Sequence, residues 1–118
     1  MPPAATQKPT VLGLAEDLAA GRTSSRALVE AALAQIAEPS GEGARSFVRV
    51  YTDSARAAAD AQDRLRQAGY VASPLAGLPV SIKDLFDVAG EPTLAGSKAL
   101  DDRPPATRDA PVVARLRA

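Results

Sequence analysis

Lys83 stands inside an apolar run, Gly77-Leu-Pro-Val-Ser-Ile-Lys-Asp-Leu-Phe-Asp-Val-Ala-Gly90, and no other stretch of the chain combines residue types in a way that reads as chemistry. A lysine amine ordinarily holds its proton up to ~10.4, so a strand that buries it must pair the charge or push the pKa down toward a value useful for proton transfer. Two hydroxyls are the nearest partners to weigh. Ser81 shares a strand face with Lys83, but two residues at the strand rise separate the Cα atoms by ~6.6 Å, so a direct Ser-Lys dyad needs unusual side-chain geometry. Ser97 sits on a loop that could fold back toward the lysine. Against both stands a structural reading, an ion pair of Lys83 with Asp84 or Asp87 on a half-exposed strand, and the residue pattern taken alone favours it. The two carboxylates do not make a metal site, because adjacent strand positions face opposite ways and no third ligand is placed nearby. Gly77, Gly90 and Gly96 lack the spacing and the following lysine of a phosphate-binding loop and read as turns.

Composition removes whole classes of chemistry. The 118 residues contain no histidine and no cysteine. A Ser-His-Asp triad, a His-ligated zinc, a thiolate nucleophile and a disulfide are therefore all unavailable from this chain, and any amide or ester hydrolysis must run on another base. Fourteen basic residues balance fourteen acidic ones, which leaves no net field to draw a phosphate backbone or an anionic membrane. No nucleic-acid partner, no membrane partner, no cofactor and no metal are expected. Met1 to Pro9 is Pro- and Ala-rich without the basic start and apolar run of a secretory signal, and reads as a flexible cytoplasmic N-terminus.

The elements that must position Lys83 follow from periodicity. Val11, Leu14, Ala15 and Leu18 recur at helical spacing and Gly21 is a natural left-handed stop. Thr23 or Ser24 can cap a second helix carrying Leu28, Val29, Ala32, Leu33 and Ile36, which ends near Glu38-Pro39. Pro39-Ser-Gly-Glu-Gly43 reads as a loop, and Phe47-Val-Arg-Val-Tyr51 alternates as a short strand. A third helix over about 53–68 presents Ala55, Ala58, Ala59, Ala61 and Leu65 as a small-residue packing face, with charges on the rest, and Gly69 closes it. A second strand holds Val80 and Ile82 on one face with Ser81 and Lys83 on the other. Asp109 can open a last helix with Val112, Val113 and Leu116. Aromatic residues are only 3% of the chain, so the core rests on small aliphatic contacts and stability in isolation is suspect. Two strands rarely make an independent sheet, and the last helix is still amphipathic where the chain stops. Both suggest the front end of something longer.

The run from Gly77 to Gly90, followed by Glu91-Pro-Thr-Leu-Ala-Gly-Ser97 and Arg108-Asp-Ala-Pro-Val-Val-Ala-Arg-Leu116, resembles the N-terminal part of an amidase signature family hydrolase. Thr23-Ser-Ser-Arg-Ala-Leu-Val29 resembles the family's early helix, and residues 44–60 resemble its strand and alanine-rich helix, so the likeness covers essentially everything after Thr10. The resemblance implies an α/β fold, of which this chain would be the N-terminal portion of a three-layer α/β/α architecture, helix-rich with about two strands. Residues 1–9 would be the flexible N-terminus and 10–118 a partial amidase domain, truncated before the Gly/Ser-rich segment.

The resemblance also implies hydrolysis of carboxylic amides by a serine, cis-serine, lysine triad, with Lys83 as the matching base. The neutral amine would accept the nucleophile's proton through a bridging hydroxyl, and water would later cleave the acyl-enzyme. In the family both serines lie in Gly/Ser-rich segments well downstream, and no such segment follows Lys83 here. Removing the nucleophile costs about as much as removing the whole unit, roughly 10⁶ in turnover for subtilisin, so the chain alone is expected to be inactive. Leu94 stands where the family often carries a second threonine, which separates this loop from the family pattern. A small-molecule amide is the substrate expected for the full-length parent, and a homodimer is compatible with the resemblance. Two other readings stay open. One is a non-catalytic interaction fragment that needs a partner over its open sheet edge; the other is a protein resembling the glutaminase-like subunit of a tRNA-dependent amidotransferase. The Lys-Asp-Leu-Phe-Asp-Val wording is closer to general amidases.

Overall fold

Several helix ends in this chain carry local devices visible in the sequence, whereas the short helix at Gly43–Ser46 is not expected from it. The computed structural model describes residues 8–118, so the expected flexible stretch over 1–9 lies largely outside the described residues. Helix α1, Val11–Ala19, begins where the Thr10 side chain accepts from the Gly13 N–H. It ends in a Schellman turn, with Gly21 at φ +71° and the Arg22 N–H donating to the Asp17 carbonyl at 2.9 Å, which satisfies carbonyls the helix leaves free. Helix α2, Ser25–Ala37, is capped by Ser24, whose side chain accepts from the Ala27 N–H at 3.0 Å. Glu38 turns extended before Pro39, as the residue ahead of a proline is obliged to do. A one-turn helix α3, Gly43–Ser46, folds back on the end of α2. A Cβ at Gly43 would run into the Ile36 backbone, its carbonyl oxygen first, so only glycine allows that approach. Helix α4, Thr52–Gln67, carries Asp53 in its first turn and Arg64 and Arg66 in its last, each sign favourable to the helix dipole. It closes with a second Schellman turn at Gly69, where the Tyr70 N–H donates to the Leu65 carbonyl at 2.9 Å.

These helices belong to a first compact unit, Met1–Pro79, and α2 packs on α4. The interface differs from the alanine face expected for α4. Ala59 is buried and Ala55 half-buried, but Ala58, Ala61 and Leu65 face solvent. Arg56, Asp60 and Asp63 lie along the inward face instead and meet complementary groups on α2. Arg56 donates to both Glu30 carboxylate oxygens at 2.7 and 3.1 Å. Arg26 donates to Glu30 at 2.8 Å and to Asp60 at 2.7 Å. Hydrogen bonds from Arg56 first, then Arg26, lower the Glu30 carboxyl to about 2, because both stabilise its charged form.

The second compact unit, Val80–Ala118, is held by single backbone bonds between loops. Gly90 donates to the Ala106 carbonyl at 2.8 Å, Ala106 returns a bond to Glu91 at 2.9 Å, and Ala110 donates to Asp87 at 2.8 Å. A 3₁₀ turn spans Lys98–Leu100 and helix α5 spans Pro111–Arg117, with proline in its first turn, where its missing N–H costs nothing. Asp109 does not cap α5 as the sequence suggests. Its carboxylate accepts from the Ala89 N–H at 2.8 Å and pairs with Arg117 at 2.9 Å, joining a loop to the helix.

The expected two strands are not present among the described residues. Residues 47–51 and 80–83 carry alternating patterns, yet neither is paired into a sheet, and Phe47, Val48, Val50, Tyr51, Val80 and Ile82 are exposed. A helix satisfies its own backbone, whereas a strand exists only when a neighbour completes its ladder. Neither segment has such a neighbour in this structure, so the alternation stays an unpaired pattern. The architecture is helix-rich.

Candidate active site

Lys83 lies in a solvent-exposed segment without regular secondary structure at the start of the second unit, so the burial that a strand would have imposed on it is absent. Its carbonyl accepts from the Phe86 N–H at 3.1 Å, closing a turn over Asp84 and Leu85. Neither neighbouring carboxylate is spent on the lysine. Asp84 accepts from the Leu94 N–H at 3.3 Å, and Asp87 accepts from the Thr93 hydroxyl at 2.6 Å. Both therefore fasten the 91–94 loop to the turn after Lys83, and the ion-pair reading is not what the structure shows. The bond to residue 94 uses its backbone, so Leu94 in place of a threonine leaves that link intact.

The two serines weighed beside the lysine behave differently. Ser97 caps the 3₁₀ turn, its side chain accepting from the Ala99 N–H at 3.2 Å, after a turn in which Ala95 and Gly96 both take positive φ. It is a turn element. Ser81 is exposed in the same irregular segment as Lys83. The second unit also holds a shallow cavity of about 380 Å³ lined by Asp87, Thr93, Arg103, Pro105 and Arg108 among others. Among the described residues there is no cluster of three or more metal-ligating side chains, and no helix is long and apolar enough to cross a membrane.

Sequence reasoning missed the Thr93 to Asp87 bond and, in the first unit, the part played by Ser25. That residue is 3% exposed and donates through its hydroxyl to the Gly77 carbonyl at 2.6 Å. The adjacent Ser24 carries the visible capping signal, and nothing local marks Ser25 as bonded 52 residues away.

The turn-rich segment around Lys83, with the helices that precede it, matches a known pattern. The family model described as Amidase matches residues 27–118, and the chain belongs to that family. Among curated relatives, it is 48% identical over 103 residues to the AtzE subunit of the 1-carboxybiuret hydrolase of Pseudomonas sp. (strain ADP), covering 87% of this chain and 22% of that protein. It is 46% identical over 110 residues to the A-subunit of the glutamyl-tRNA(Gln) amidotransferase of Anaeromyxobacter dehalogenans (strain 2CP-C), covering 91% of this chain and 22% of the relative. A solved structure described as an unexpected vestigial protein complex revealing the evolutionary origins of an s-triazine catabolic enzyme superposes with a TM-score of 0.82. The identity there is 44%, over 92% of this chain and 24% of that one. The chain thus spans between a fifth and a quarter of the length of the proteins it matches.

Proposed function

We propose that this chain is the lysine-bearing segment of an amide hydrolase, in which Lys83 is the base of a serine, cis-serine, lysine triad. The observation that carries the reading is the Lys83 segment itself, within a chain that belongs to the amidase family. Lys83 is exposed and the carboxylates beside it are engaged with Thr93 and Leu94, so its amine is free to meet a hydroxyl supplied from outside this chain. There the amine takes the nucleophile's proton through the bridging hydroxyl as the serine oxygen attacks the amide carbonyl, returns a proton to the leaving nitrogen as the C–N bond breaks, and water then cleaves the acyl-enzyme to the acid and the free serine. The nucleophile in this reading is a serine from outside this chain, Ser97 being engaged at its own 3₁₀ turn, and the chain by itself is expected to turn over no amide.

A chimera tests this. Residues 10–118 replace the matching segment of the Pseudomonas hydrolase protein, and hydrolysis of its own substrate class is measured beside simple aliphatic and aromatic amides. The chimera is expected to be active, and Lys83→Ala to lower turnover by roughly 10³-fold or more, as for other members of a coupled catalytic unit. Full activity in the Lys83→Ala chimera would overturn the assignment. A second reading rests on the amidotransferase relatives at similar identity: the same lysine would serve to release ammonia from an amide donor. Glutamine as the preferred substrate of a chimera built on such a relative would favour it.

A further inference from the structure

Two loops of the second unit, residues 87–93 and 103–108, supply the walls of the cavity of about 380 Å³. Backbone bonds lace them together, with Gly90 donating to the Ala106 carbonyl at 2.8 Å and Ala106 donating to the Glu91 carbonyl at 2.9 Å. Pro104 and Pro105 restrict the backbone directly after Arg103 through their rings. The walls are therefore set by the chain itself.

Arg103 and Arg108 both line this cavity, together with Thr93 and Thr107. Several other arginines are spent on carboxylates: Arg22 on Asp17, Arg26 and Arg56 on Glu30, Arg45 on Glu42 and Arg117 on Asp109. Arg103 and Arg108 pair with no carboxylate among the described residues, although each has an aspartate beside it in sequence. Asp109, next to Arg108, is committed to the Ala89 N–H and to Arg117. The one carboxylate among the lining residues, Asp87, accepts from the Thr93 hydroxyl at 2.6 Å. Two guanidiniums against one carboxylate leave the cavity net positive.

We infer that this cavity binds a small oxyanion, a carboxylate or a phosphate, held by the guanidiniums of Arg103 and Arg108. The guanidinium fork matches the oxygens of either group through paired, charge-assisted hydrogen bonds. Walls that are already laced together spare the cost of ordering two loops on binding. Both arginines are exposed, so water and salt screen the site and its affinity is modest, on the order of 1 mM. The site does not depend on Lys83 being a base.

The test is a ¹H–¹⁵N titration of the 118-residue chain at fixed ionic strength, with inorganic phosphate in one series and acetate in another, following the arginine Nε–H signals and the backbone amides of 103–108. Saturable shifts concentrated on Arg103 and Arg108 are expected; saturation by phosphate alone identifies the ligand as a phosphate, and by acetate alone as a carboxylate. Arg103→Gln and Arg108→Gln should each weaken binding by ~10-fold through the loss of charged hydrogen bonds. Arg115→Gln, which removes an exposed arginine outside the cavity, should leave it within about twofold. If either glutamine variant disturbs the amide signals of α5, Arg103→Lys and Arg108→Lys replace it; they keep the charge, lose the fork and should weaken binding by a smaller factor. No saturation by either anion, shifts spread evenly over all the arginines as simple screening produces, or equal weakening by Arg115→Gln overturns the inference. Weakening by only one of the two cavity variants overturns it as well, because the site needs both guanidiniums.

Discussion

The helical unit and the unit that carries Lys83 are built on opposite terms. In Met1–Pro79 the ends of α1, the start of α2 and the end of α4 are closed by devices within a few residues, and long-range bonds such as Glu30 to Arg56 and Ser25 to Gly77 are added on top. In Val80–Ala118 there is one helix of seven residues and one 3₁₀ turn, and the remaining order comes from hydrogen bonds between loops, the Asp109 to Arg117 pair and the buried Val113. The first unit therefore specifies itself, whereas the second specifies a set of turns around a lysine. That arrangement is compatible with the role proposed for Lys83, because a segment saturated with its own contacts has nothing left to offer a partner.

Substitutions at the two buried anchors should expose that asymmetry most strongly. Leu18 is 1% exposed in the first unit, and Leu18→Ala should cost about 2–5 kcal/mol through lost burial and the cavity left behind. Val113 is 2% exposed in the second, and Val113→Ala, which removes two methyl groups, should cost about 1.5 kcal/mol. Urea denaturation followed by helix signal reads both. A larger loss at Val113 than at Leu18 would mean that the second unit, and not the first, carries the cooperative core.

The face of α4 supplies the next contrast. Ala59→Leu places three extra carbons at a buried site and should destabilise by about 1–3 kcal/mol, whereas Ala58→Leu, on the solvent side, should stay within about 0.5 kcal/mol of the parent. Equal costs at the two positions would restore the small-residue face that the sequence suggests. Smaller again is the effect of the cap at Thr10. Thr10→Ala leaves the Gly13 N–H without its partner and should cost about 1 kcal/mol, read from the same denaturation curves.

These contrasts also explain what could be read in advance. Gly21, Ser24 and Gly69 announce the ends of three helices because capping chemistry acts over three or four residues. The family likeness was legible for the same reason, since the run from Gly77 to Gly90 is contiguous. The strands expected at 47–51 and 80–83 are absent from the structure, because alternation states only a preference for two faces, and a ladder depends on a neighbour that a local pattern cannot supply. The α4 interface failed for a related reason. Arg56, Asp60 and Asp63 look like a solvated face until Arg26 and Glu30, some thirty residues earlier, are known to lie opposite them. Lys83 stands out by residue type and context, but its exposure and the diversion of Asp84 and Asp87 to the 91–94 loop are set by partners that no local pattern names.

The weakest expected effect separates the units by acid. Glu30 is held at about 2 in the folded chain against 4.5 for the ordinary carboxyl, so its bonds to Arg56 and Arg26 favour folding wherever the unfolded chain already carries that charge. This contribution is complete above pH ~4.5 and disappears as pH falls toward 2, because the folded carboxylate is then protonated as well. Glu30 is 40% exposed and Arg56 38%, so solvent and salt screen the pair and the effect stays modest. The measurement is the stability difference between the parent and Glu30→Gln, taken at several pH values. It should favour the parent at pH 6, narrow between pH 4.5 and 2, and shrink when salt is raised at pH 6. A difference that stayed constant down to pH 2 would mean that the carboxylate charge contributes nothing to the α2 and α4 contact. The bonds of Glu30 to Arg56 and Arg26 would then align the two helices without adding to their stability, which would rest on Leu18, Val29 and Ala59 and on the Asp60 and Asp63 contacts.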